Sequence, residues 1–133
     1  MDNRAIVTHA FEELAKGNTA PYVAAMAESF TWRPMGHGAW GKVFAGKEHV
    51  RRDMFGKLYA QYEGAPRTQW TAIHADGDHV IVEANGTAVT KAGKDYNNRY
   101  CFIIRMEDGK MVEVREYLDT ALAQEVIDGS VFL

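Results

Sequence analysis

The stretch from Lys94 to Ala123, KDYNNRYCFIIRMEDGKMVEVREYLDTALA, narrows the choice of fold more than any other, because it reads as a β-hairpin whose arms sort their side chains by parity. Alternate residues of an extended strand face opposite sides. In the first arm the even positions Tyr96, Asn98, Tyr100, Phe102, Ile104 and Met106 are mostly large and apolar, and the odd ones are Asn97, Arg99, Cys101, Ile103 and Arg105. Glu107-Asp108-Gly109-Lys110 between the arms carries Asp-Gly, a strong hairpin-turn signal. The second arm then puts Val112, Val114, Glu116 and Leu118 on one face and Glu113, Arg115, Tyr117 and Asp119 on the other. Asn98, Tyr100, Phe102, Val112, Val114, Glu116 and Leu118 are therefore expected on one concave face, with Arg99, Arg105, Arg115 and Tyr117 turned away. Glu116 is a lone carboxylate between two apolar residues on the side expected to be buried.

The other segments read as a cover for this hairpin. Residues 2–16 carry Ile6, Val7, Ala10, Phe11 and Leu14 at helical spacing, with Gly17 as a stop. Asn18 or Thr19 can cap a second, shorter helix, with Pro21 in its first turn and Tyr22, Val23, Met26 and Ala27 as its apolar side. Phe30 to Arg33 reads as a short strand broken by Pro34, followed by a glycine-rich, aromatic loop through Gly46. From Lys47 to about Tyr62, apolar residues recur at three- and four-residue intervals, which predicts a third helix stopped by Gly64 and Pro66. Two strands follow, residues 68–75 and 79–90, joined by Asp76-Gly77-Asp78. Helices first and hairpin-linked strands after imply a single α+β domain over residues 1–133. Its antiparallel or mixed sheet of four to six strands, curved at Gly86 and Gly93, wraps three N-terminal helices around an internal pocket.

At 133 residues the chain can bury a core without metal or disulfide staples. A net charge of −3 with scattered Lys and Arg gives no long-range pull on phosphate, so neither nucleic acid nor an anionic membrane is expected as a partner. A small apolar molecule or another protein fits better. The single Cys101 cannot form an intramolecular disulfide, and MDNRAIVTHAFEELAKG lacks the basic-then-apolar pattern of a secretory signal, which together imply a reducing, cytoplasmic setting. No apolar run approaches the roughly 18 residues that span a bilayer. His9, His37, His49, His74 and His79 show no metal-ligand spacing, and no glycine-rich phosphate loop joins a strand to a helix. Cofactor-free chemistry is the expectation.

A carboxylate buried without a partner pays heavily in lost hydration, so burial raises its pKa and keeps a proton at hand near neutrality. That makes Glu116 the candidate general acid or base, with Tyr100 and Asn98 on the neighbouring strand as hydrogen-bond donors to it or to a bound carbonyl. The competing reading has Glu116 paired with Arg33 or a backbone donor, or wetted at the rim. The pocket wall is expected from Trp32, Arg33, His37, Trp40, Phe55, Tyr59, Phe102, Val112, Val114 and Leu118. His37 reads either as a proton shuttle or as a solvated loop residue, and Trp40 as a lid or as packing beneath the loop. The odd-numbered face of the hairpin, with Arg99, Arg105, Glu113, Arg115, Tyr117 and Asp119, is either a solvated surface or a polar dimer interface.

Taken together, YNNRYCFIIRMEDGKMVEVREYLDTAL and the upstream GAWGKVFAGKEHV with its helix resemble the SnoaL-like, ketosteroid-isomerase-related proteins of the nuclear transport factor 2-like superfamily. The resemblance implies a cystatin-like cone with a deep pocket and a homodimer through the outer face of the sheet. Ketosteroid isomerases carry an Asp before a Pro where TWRPMG here has Arg33, and a second, protonated Asp where this chain has Phe102. Limonene epoxide hydrolases carry an Arg and an Asp where VIVEANG puts Glu83 and Asn85. The last-strand Asp of those hydrolases and of SnoaL-type cyclases falls at Glu116. The resemblance thus implies a cyclase-like pocket protein without ketosteroid isomerase activity, or a non-catalytic binding or scaffold domain of the same fold.

Overall fold

The computed structural model describes residues 2–133. Asp2 opens the first helix by accepting the Ala5 amide at 2.8 Å, which satisfies one of the N–H groups that every helix start leaves free. This helix, α1 (Asn3–Leu14), buries Val7, Ala10 and Phe11. Gly17 follows at φ 80°, a conformation that side chains resist. The second helix, α2 (Ala20–Ala25), has Pro21 in its first turn and buries Tyr22 and Ala25. It is shorter than its apolar pattern suggests, because Met26 and Ala27 already belong to strand β1 (Met26–Pro34).

The third helix runs from Lys47 to Tyr59, and its middle, Val50–Phe55, is a π-helix. There the Gly56 amide reaches the Arg51 carbonyl five residues back. A π turn is wider than an α turn and rotates the residues that follow it about the axis. Met54, Phe55, Leu58 and Tyr59 all reach one cavity as a result.

β1 joins β2 (Phe44–Ala45), β3 (Arg67–Asp76), β4 (His79–Thr87), β5 (Arg99–Glu107) and β6 (Lys110–Leu118) in one six-stranded sheet. The order is β2-β1-β6-β5-β4-β3, and only the β1–β6 pair is parallel. The β5–β6 hairpin is central, and its turn holds Asp108 at φ 49° and Gly109 at φ 74°, the positive pair that a two-residue hairpin of right-handed twist needs. Phe102, Ile104, Met106, Val112 and Val114 are buried and Arg99, Arg115 and Tyr117 exposed, as parity expects, but the odd-numbered Met111 is buried too, because a one-residue register shift pairs it with Met106.

The sheet edges differ from the sequence reading. β4 stops at Thr87 and β5 begins only at Arg99, because the Asn98 side chain accepts the Arg99 and Asp119 amides at 2.7 and 2.9 Å and ties the arms together outside the ladder. β6 stops at Leu118, where Asp119 accepts the Leu122 amide at 3.1 Å and caps a helix, Thr120–Val126. Curvature comes from register shifts in β1, in β3 between Trp70 and Ala72, and between Arg105 and Met106, since an extra residue bends its strand. Gly86 serves another purpose: a Cβ there would stand 2.8 Å from Tyr100 Cε2, so its absence admits the tyrosine ring. Gly93 lies in a turn at φ 81°, outside the strands.

Candidate active site

Sheet and helices enclose a cavity of about 110 Å³. α1 contributes Phe11 and Leu14, α2 contributes Tyr22, and β1 contributes Trp32 and Pro34. β5 supplies Tyr100 and Phe102, and β6 supplies Glu116 and Leu118. Trp40, Phe44 and Phe132 add their rings to the wall, and Tyr62 and Tyr96 bring two more phenols. Among the described residues, no Lys, Arg or His lines this space, and Glu116 is its one carboxyl.

The ladder fixes Glu116 in place. Its strand partners are Phe102 on β5 and Pro34 on β1, which puts it in the middle of the concave face between the third helix and the hairpin. Its Oε1 accepts the Trp32 indole N–H at 3.3 Å. Burial pushes the carboxyl up from 4.5 to about 7, and the indole hydrogen bond pulls part of the way back. The direction follows from lost hydration: apolar walls penalise the charged form more than one neutral donor can restore. Although protein surrounds the carboxyl, Glu116 is only half-buried as a residue, because it borders the cavity. It is therefore poised to hold or release a proton near neutral pH and is reachable by whatever fills that space.

The phenols around it stay protonated. Burial, reinforced by the Glu116 charge, pushes Tyr59 up to about 12 and drives Tyr22 higher still. Tyr96 is also raised to about 12, chiefly by burial, against a hydrogen bond from Asn98 that lowers it. Tyr100 is raised by burial and stacks on Phe102 at 5.2 Å. These groups are neutral hydrogen-bond donors at neutral pH.

Five residues expected at the pocket stand elsewhere. Arg33 points to the outer face, where its Nε donates to Glu113 at 2.9 Å, so it does not neutralise Glu116. Asn98 is 1% exposed and fully engaged: its Nδ2 donates to Tyr96 Oη and to the Asp119 carbonyl, each at 3.0 Å, and its Oδ1 takes two backbone amides. It has nothing left for a ligand. His37 is exposed in the loop, Val114 is buried in the core behind the wall, and Val112, buried at the register shift of the hairpin, joins neither that core nor the cavity. Trp40 combines both of its readings, since it lines the cavity while its indole donates to Gln124 at 2.9 Å and its ring packs on Phe132.

The sequence reading passed over the C-terminal wall and Tyr22. A signal for the first was present in Asp119 ahead of Thr-Ala-Leu-Ala-Gln-Glu, a cap followed by good helix formers. The segment is locked by reciprocal hydrogen bonds between the Gln61 side chain and the Asp128 backbone at 3.0 and 2.9 Å. Tyr22 looked like ordinary apolar filling of a short helix, and nothing local marked its hydroxyl.

A cone of curved sheet and helices around a cavity, with one titratable carboxyl inside it, defines the class: a protein of the cystatin-like, nuclear transport factor 2-like fold. The chain belongs to the family of the SnoaL-like domain, whose model matches residues 7–114. That match ends two residues before Glu116. An NTF2-like protein from Burkholderia thailandensis E264 superposes with a TM-score of 0.82 at 21% identity, covering 96% of this chain and 98% of that one. A protein from Jannaschia sp. CCS1, described as a SnoaL-like polyketide cyclase, gives 0.76 at 17% identity over 94% and 90% of the two chains. TerC, co-crystallised with polyporic acid, gives 0.78 at 18% identity over 94% and 97%. At these identities the likeness is one of fold. No curated protein matches the chain. Among the described residues no helix is long and apolar enough to cross a membrane.

Proposed function

We propose that Glu116 moves a proton on an uncharged, apolar carbonyl compound held in the cavity, the enolisation step that isomerisation and cyclisation share. The observation that carries this reading is a carboxyl raised to about 7 by burial, facing an aromatic cavity and held by a single indole donor. As carboxylate it takes a proton from the carbon next to the carbonyl. The C–H electron pair becomes a C=C bond, and the carbonyl π pair moves to oxygen. The proton then returns from the carboxylic acid to a different carbon, or the enolate carbon attacks a second carbonyl within the same molecule. The likeness to proteins described as a SnoaL-like polyketide cyclase and as having a ketosteroid isomerase-like fold supports this chemistry, as does that to TerC, co-crystallised with polyporic acid.

Deuterium exchange at the α-carbons of cyclohexanone, followed by NMR in heavy water, tests the proposal. The wild type should accelerate exchange, with a rate that rises as a group near 7 ionises, and Glu116→Gln should lower it by roughly 10²- to 10⁴-fold. Saturable binding with no exchange would place the chain among non-catalytic binding domains instead.

We further propose a homodimer through the outer face of the sheet, where Tyr117 is 42% exposed and Ile81 and Ile103 are half-buried among Arg99, Glu113 and Arg115. A stable contact should cover more than about 1,000 Å² in total. Sedimentation that shows only monomer at micromolar concentration counts against it.

A further inference from the structure

Buried polar side chains in folded proteins nearly always find a partner, because an unpaired one forfeits its hydration for nothing. Among the described residues, one buried side-chain oxygen lacks any hydrogen-bond partner: the hydroxyl of Tyr22. The residue is 2% exposed, lies in the cavity wall, and is close enough to Glu116 to feel its charge. Its ring is held edge-on to Phe11 at 5.7 Å and tilted against Trp32 and Phe55, both at 6.3 Å. Trp32 in turn donates to Glu116. The ring is thus fixed by packing on three sides, beside the residue that positions the carboxyl, and no described protein group partners its hydroxyl.

We propose that Tyr22 is the donor that binds the ligand's carbonyl oxygen and, resting on the enolisation reading above, carries the negative charge that develops there while Glu116 holds the proton. A proton transfer next to a carbonyl needs both a base and a donor at the oxygen, and the donor is usually the larger contribution. Glu116 cannot act as both at once. Asn98 is engaged with Tyr96 and the backbone. Tyr22 is the phenol of this wall whose hydroxyl is buried without a partner. Its rigidity matters as well, since a donor already aimed needs no reorganisation when charge appears.

The same wall defines the ligand class. Among the described residues no Lys or Arg borders the cavity, so a carboxylate, phosphate or sulfonate would face Glu116 with no counter-charge. The ligand is a neutral ketone or enone. At about 110 Å³ the cavity is somewhat smaller than the ~150 Å³ that accommodates benzene in an engineered core, which favours a one-ring compound or one ring of a larger molecule that projects through the mouth.

The test uses cyclohex-2-enone, whose oxygen accepts hydrogen bonds and donates none, with methylenecyclohexane as the isostere lacking oxygen. Infrared difference spectra of the wild type should show the bound enone's C=O stretch displaced to lower frequency, with the ketone bound in preference to the alkene. In Tyr22→Phe, which removes no internal hydrogen bond, the displacement should vanish, the preference should fall roughly tenfold, and cyclohexanone exchange should slow at least tenfold with the larger effect on kcat. An unchanged C=O frequency in Tyr22→Phe overturns the inference, as does failure of the wild type to bind the enone. If exchange depends on Glu116 while Tyr22→Phe matches the wild type in both readouts, the donor assignment falls and the acid-base reading stands. If the Tyr22-dependent shift is seen without any exchange, the donor assignment stands for binding and the acid-base reading falls.

Discussion

Glu113 and Glu116 leave the same strand three residues apart and meet opposite surroundings, because an odd separation along a strand reverses the face. Glu113, on the outer side, takes Arg33 at 2.9 Å and Arg115 at 3.4 Å, with both arginines partly in water. Glu116, on the inner side, takes one indole and otherwise meets aromatic walls. Two identical side chains are thereby given different work. Water and mobile guanidinium groups screen the outer one, so its ion pairs add little to stability. The inner one has its proton affinity set by burial, which makes it chemically useful and at the same time costly to ionise.

The sharpest way to break this comparison is through the support of the inner carboxyl. Trp32→Ala removes a ring packed on Tyr22, Phe30, Phe55 and Phe102 and should cost about 3–5 kcal/mol in urea unfolding. Trp32→Phe keeps an aromatic ring in the packing and removes the N–H donor, so the Glu116 carboxyl should titrate above the wild-type value in carbon-detected NMR. A loss under about 1 kcal/mol for the alanine variant would mean that the concave face is not the packed side.

A smaller effect comes from the proton itself. The folded carboxyl holds its proton up to about 7, whereas the ordinary value is 4.5. Between those pH values the folded state binds more protons than the unfolded one, so this contribution is complete below pH 4.5 and is lost as pH rises to 7. The whole difference amounts to at most about 3 kcal/mol. Glu116→Gln should lack this dependence and be more stable than wild type at alkaline pH. Parallel melting curves for the two proteins from acid to alkaline pH would contradict the buried-carboxyl account. On the other face, Glu113→Gln should cost less than about 1 kcal/mol and lose even that in high salt. A large, salt-insensitive loss there would erase the contrast between the two faces.

How much was legible depends on the range of the interaction concerned. The Asp-Gly turn and the period-two pattern are local, so the hairpin and the side on which Glu116 emerges could be read from Tyr100 to Leu118 alone, whereas the one-residue shift that sets the register beyond Met106 could not. Helix ends were less legible. Met26 continues the apolar pattern of α2, but pairing with Met111 on β6 draws it into the sheet. Asn98 has the parity of a pocket residue, yet backbone amides on both sides of the hairpin claim its side chain.

The sequence by itself determined which residues can share a face, because strand alternation is covalent geometry. Only the tertiary structure decided what each face meets. Arg33 and Glu116 stand in register-adjacent strands, and β1 could have been expected to bring their charges together, but its pleat sends Arg33 outward to Glu113 and Trp32 inward to the carboxyl. Trp32 and Glu116 are separated by 84 residues of chain, and Tyr22 reaches the same cavity from a helix whose pattern marked it only as filling. Contacts of that kind arise from how whole elements dock. No local periodicity records them.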